Sequence, residues 1–86
     1  MESYKILVIR FSSIGDIVLT TPIVRALKQQ LKNVEIHYLT KKSNYSLLQN
    51  NKYIDKIHLL EETDLLKKLR QNKFDYIVDL HNNLRT

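Results

Sequence analysis

The chain has 86 residues, with 14 Lys and Arg against 9 Asp and Glu, for a net charge of +5. That length allows one small domain at most, and a domain of this size has a thin stability margin. The absence of cysteine excludes disulfide staples, and no apolar run reaches the roughly 18 residues of a membrane span.

Residues 1–10 lack a secretory pattern, because Lys5 is followed by only four apolar residues, Ile6 to Ile9, before Arg10. A soluble, cytoplasmic chain is expected. The basic balance suits an anionic partner: nucleic acid, a phosphorylated sugar or an anionic membrane face. The basic residues are scattered rather than clustered in a tail, as on a solvated surface.

Lys5–Arg10 reads as a first strand, continuous and apolar like a strand buried on both faces. Asp16 to about Leu31 reads as a helix with Ile17, Val18, Val24, Leu27 and Leu31 near one face. Pro22 interrupts it by removing an N–H and crowding the Val18 carbonyl, so one kinked helix is expected. Val34–Thr40 alternates between apolar and polar residues, which predicts a strand nearer a sheet edge or with one wetter face. Ser43 to about Asn50 is a weaker helix. Ile57–Leu60 is a third strand, Thr63 to about Gln71 a leucine-faced basic helix, and Tyr76–Leu80 a fourth strand with acidic flanks. The βαβαβαβ order predicts an α/β fold, a Rossmann-like parallel sheet with flanking helices. After Asp79-Leu80 the chain enters a turn and stops before a covering helix, so a truncated piece of a longer protein is expected.

The turn between the first strand and first helix carries the chemistry. It lies beyond a strand's carboxyl end and at a helix N-terminus, where α/β sheets gather ligands. It holds the only glycine, Gly15. Ser13-Ile14-Gly15-Asp16 fits a capping box, and the helix dipole favours an acid there. Gly15 fits a position needing a left-handed angle or close backbone approach. No second glycine makes a dinucleotide loop, and no Gly-Lys-Ser/Thr makes a Walker loop. Asp16 would repel a phosphate, which points to a neutral group such as a sugar hydroxyl. His37 and His58 lack metal-ligand spacing, so no metal is implied, and no cofactor is expected.

Lys5–Leu27, KILVIRFSSIGDIVLTTPIVRAL, resembles the N-terminal signature of the ADP-heptose:lipopolysaccharide heptosyltransferases, glycosyltransferase family 9. Phe74–Thr86, FDYIVDLHNNLRT, is similar to a second, less specific stretch of that family. The resemblance implies the first part of the N-terminal, acceptor-side domain of a GT-B enzyme, over residues 1–86, with the C-terminal donor-binding domain absent. It implies an inverting transfer of heptose from ADP-heptose to the lipopolysaccharide inner core, at the inner face of the inner membrane, by the full-length parent. The 86 residues alone are then expected to be inactive. The family's Ser-x-Gly-Asp acid acts as general base, a role that falls on Asp16. Arg10, Ser12, Ser13, Gly15, His81, Asn82 and Arg85 are the expected substrate contacts.

The rival reading is a small basic flavodoxin-like module for nucleic acid. It lacks an aromatic stacking set interleaved with Lys and Arg, so no nucleic-acid partner is expected. A membrane-docking role for Leu65, Leu66 and Leu69 is weaker than their covering the sheet.

Overall fold

A computed structural model describes residues 3–80. The elements run β1 (Tyr4–Ile9), α1 (Ile14–Gln30), β2 (Val34–Thr40), a 3-10 turn (Lys42–Asn44), α2 (Tyr45–Leu48), β3 (Lys56–Leu59), α3 (Leu65–Asn72) and β4 (Tyr76–Asp79). Every strand pairing is parallel, in the order β3-β2-β1-β4. The Rossmann-like βαβαβαβ expectation holds. The chain steps outward from β1 to β2 to β3, then returns to place β4 on the other side of β1. That reversal makes a topological switch point at the carboxyl ends of β1 and β4, where such sheets bind ligands.

Residues paired in a parallel register share a face, and successive residues alternate. Ile6, Val8, Ile36 and Tyr38 therefore line one face, closed by Ile17 and Val24 of α1 and by Leu48 of α2. Burying each aliphatic side chain of this kind contributes roughly 1.5–3 kcal/mol, so this layer is the main core. Leu7, His37, Leu39 and His58 lie on the opposite face. There Leu7 and Ile9 share a groove with Leu66 and Leu69 of α3.

Two aspartates start strands by the same device. Asp55 donates its N–H to the Ile36 carbonyl (2.8 Å) and accepts the Ile36 N–H on Oδ2 (2.7 Å). Asp75 does the same with Lys5, at 2.8 Å in each direction. Each closes a backbone–carboxylate ring that extends the ladder one step before β3 or β4.

Helix α1 begins at Ile14 and passes through Pro22 as one element. The Val18 carbonyl loses its donor to proline, but Val18 and Pro22 are both exposed, where water can serve that carbonyl. Residues 43–50 form less helix than expected. The Asn44 side chain turns back to donate to the Phe11 carbonyl (2.8 Å) and Thr40 Oγ1 (3.1 Å), a use of asparagine that competes with helix.

β2 corrects a second expectation. It is flanked by β1 and β3, and every residue of it except Glu35 is buried. Its alternation misled because the polar members are satisfied inside: His37 by His58 and Glu35, and Thr40 by Asn44.

Candidate active site

Arg10 leaves β1 and keeps the ladder going by donating its N–H to the Leu39 carbonyl, at 3.2 Å. Its side chain stays inside, and the residue is only 4% exposed. The guanidinium spans the switch point. Nη1 donates to the Leu80 carbonyl just past β4 (2.8 Å), and Nη2 donates to Asp16 Oδ2 (2.7 Å). Its Nε is buried and has no partner among the described residues.

Asp16 is held by the turn as well. The capping box with Ser13 forms, and Ser13 caps α1 in an extended conformation. The Ser13 hydroxyl donates to Asp16 Oδ2 at 3.0 Å, and the Ser13 amide reaches the same oxygen at 3.5 Å. Thus Arg10 and Ser13 both bind Oδ2. No hydrogen bond from the described residues reaches Oδ1. The side chain is about half exposed. The Ser13 hydroxyl and then its amide hold the Asp16 carboxyl below the ordinary carboxylate range; the Arg10 charge adds to this, and partial desolvation opposes it.

This pairing revises one inference from the residues. Asp16 is not a bare negative charge at the helix end, because Arg10 neutralises it. What argues against a phosphate cradle is the lack of further glycines.

Gly15 also differs from expectation. It has no positive φ, and a Cβ there would meet nothing within 4 Å. Nothing among the described residues requires glycine, and open space adjoins Asp16. Ser12 is exposed beside it. The expected contacts His81, Asn82 and Arg85 lie outside the described residues. Asn44 was not foreseen as part of the site, yet its bond to the Phe11 carbonyl fixes the segment between Arg10 and Ser13. The signal was available only as an asparagine just past β2, near a sheet edge already marked by Gly15.

Beneath the turn lies a buried polar pair. Thr20 Oγ1 donates to the Ile17 carbonyl (2.6 Å), so its single proton is used. The Tyr38 hydroxyl, 2.8 Å away, must therefore donate to Thr20. Burial raises the Tyr38 pKa above its ordinary value, which keeps that donor protonated. Among the described residues no group of three or more His, Cys, Asp or Glu is arranged to hold a metal ion. No described helix is long and apolar enough to cross a membrane.

The fold has counterparts among solved structures. The structure of E. coli ADP-heptose lps heptosyltransferase II superposes with a TM-score of 0.80 and 25% identity, over 91% of this chain and 24% of that one. Lipopolysaccharide heptosyltransferase 1 of Campylobacter coli is 30% identical over 84 residues. The chain is similar to the heptosyltransferases of glycosyltransferase family 9.

The family 9 structure from Veillonella parvula shares the fold over 100% of this chain and 29% of its own, with a TM-score of 0.83 and 23% identity. No family model matches the sequence. The chain spans 25% of the length of the Campylobacter heptosyltransferase, which in turn aligns with 88% of it.

Proposed function

We propose that this chain forms the acceptor side of an inverting GT-B glycosyltransferase, with a donor-binding domain in sequence beyond Thr86. The enzyme transfers heptose from ADP-heptose to the lipopolysaccharide inner core, at the cytoplasmic face of the inner membrane. Asp16 is the general base. The observation that supports this is the asymmetry of its carboxylate: Oδ2 is tied by Arg10 and Ser13, while no hydrogen bond from the described residues reaches Oδ1.

An inverting displacement needs a base beside the attacking oxygen, on the face opposite the leaving group. Oδ1 accepts the proton of the acceptor hydroxyl as that oxygen bonds to the anomeric carbon. The bond from that carbon to the diphosphate oxygen breaks, and ADP leaves with the electron pair. A carboxylate held below its ordinary pKa is a weak base, so the proton moves late, after bonding to carbon has made the hydroxyl acidic. Such assistance contributes about 10²–10⁴-fold.

The test is Asp16→Asn in a protein carrying both domains, assayed for heptose transfer from ADP-heptose to a core acceptor. Turnover should fall by about 10²–10⁴-fold. Turnover close to wild type removes Asp16 as the base.

A further inference from the structure

We infer that Arg10 is a positioning residue for Asp16 rather than a contact for the acceptor's anionic groups. The inference rests on the reading of Asp16 as general base. Three observations carry it. Arg10 is 4% exposed, so an acceptor carboxylate or phosphate has little access to it. Both terminal nitrogens are engaged, and the remaining Nε is buried. The two partners also sit on different elements: the Leu80 carbonyl just past β4 and Asp16 in the first turn of α1.

The guanidinium is a rigid planar fork that can satisfy both directions at once. With Oδ2 anchored by Arg10 and by Ser13, rotation about the Asp16 side chain is restricted and Oδ1 stays turned outward. The link also ties the aim of the base to the carboxyl end of β4. Leu80 is thereby coupled to Asp16 through Arg10. A displacement near an ångström at a reacting group can cost about 10²-fold, so the aim of Oδ1 matters to turnover more than to binding.

Arg10→Met and Arg10→Lys separate charge from geometry in the two-domain protein. Methionine removes both, whereas lysine keeps the charge but loses the planar fork. Arg10→Met should lower kcat by about 10–100-fold and leave the acceptor KM within about twofold. The acid limb of its kcat profile should move to higher pH, because a cation beside the carboxylate is gone. Arg10→Lys should recover part of kcat and leave the limb in place.

A large rise in acceptor KM at unchanged kcat, in either variant, overturns the inference and makes Arg10 an acceptor contact. An unmoved acid limb in Arg10→Met also overturns it. Should Arg10→Met fail to fold, Arg10→Lys decides: lower kcat at constant KM supports positioning, and raised KM rejects it. Asp16→Asn in the same assay keeps the two readings apart. If Asp16→Asn stays active, both fall. If it is inactive and Arg10→Met leaves the limb unmoved, only the Arg10 inference falls.

Discussion

His37 Nδ1 lies 2.7 Å from His58 Nε2, with the two rings stacked 5.0 Å apart between centroids. Both residues are buried, on the sheet face away from α1, and Phe74 meets both rings edge-on. Glu35 binds the far nitrogen of His37. If Glu35 accepts from His37 Nε2, a neutral His37 must accept at Nδ1, and His58 supplies the proton. The pair can hold one extra proton and keep its central bond. A second proton gives each facing nitrogen an N–H and breaks that bond.

This cluster predicts a stability loss on the acid side of neutrality. Burial first, and then the His37 ring, hold His58 below the ordinary histidine value; Lys56 and Lys68 add to this and Glu62 opposes it. The unfolded chain therefore binds a proton at a higher pH than the folded one. The contribution is full above about 6.5 and is lost as pH falls from there through the lowered folded value. Urea midpoints should drop between about pH 7.5 and 5. His58→Gln keeps a donor near Nε2 and removes the titration, so its midpoint should vary less over that range. An equal slope in the variant would place the pH dependence elsewhere.

The Asp55 ring should be worth more than the ion pair it also makes. Asp55 Oδ2 accepts from Lys28 Nζ at 2.6 Å and from the Ile36 amide at 2.7 Å. Ile36 is fully buried, so Asp55→Ala leaves its N–H without a partner, at a cost of about 1–3 kcal/mol. The Lys28 pair is partly solvated, and such pairs contribute about 0–1 kcal/mol. Asp55→Asn retains an oxygen for Ile36 and should lose only the smaller amount. Denaturant melts of the two variants measure the difference; equal losses would assign the effect to charge.

Tyr38 and Thr20 should respond unequally to loss of one hydroxyl. Tyr38→Phe removes a donor, while Thr20 keeps its bond to the Ile17 carbonyl, so the cost is about 0.5–1.5 kcal/mol. Thr20→Val fits the same space but strands the Tyr38 hydroxyl in the core, at about 1–3 kcal/mol. Thermal denaturation should rank Thr20→Val as the less stable. The reverse ranking would mean that the Tyr38 hydroxyl has another acceptor.

What could be read from the residues was local. Ser13 and Asp16 are three apart, and that spacing states the capping box directly. β1 announced its central position through Ile6-Leu7-Val8, and β2 showed its exact limits, Val34–Thr40. The Arg10 bond to the Leu80 carbonyl spans 70 residues, and no spacing rule reaches that far. His37 and His58 met for the same reason. In the sequence they were only two histidines without metal-ligand spacing; the register brings them to one face. Gly15 was legible as special, but nothing among the described residues supplies the cause, and the space they leave beside it is open.

Gly15→Ala tests what that open space is for. Gly15 lies in the first turn of α1 without a positive φ, so alanine is free to adopt the same backbone. Glycine within a helix is less stable than alanine by roughly 0.5–1 kcal/mol, and a Cβ here meets nothing within 4 Å. The variant should therefore melt higher than the parent chain. If the acceptor sugar approaches the backbone beside Asp16, the same methyl group should raise the acceptor KM or lower turnover in the two-domain protein. Higher stability combined with lower transfer would mark Gly15 as a residue kept for ligand approach. Higher stability with unchanged transfer would move the acceptor away from this turn, and with it the case for Oδ1 as the proton acceptor.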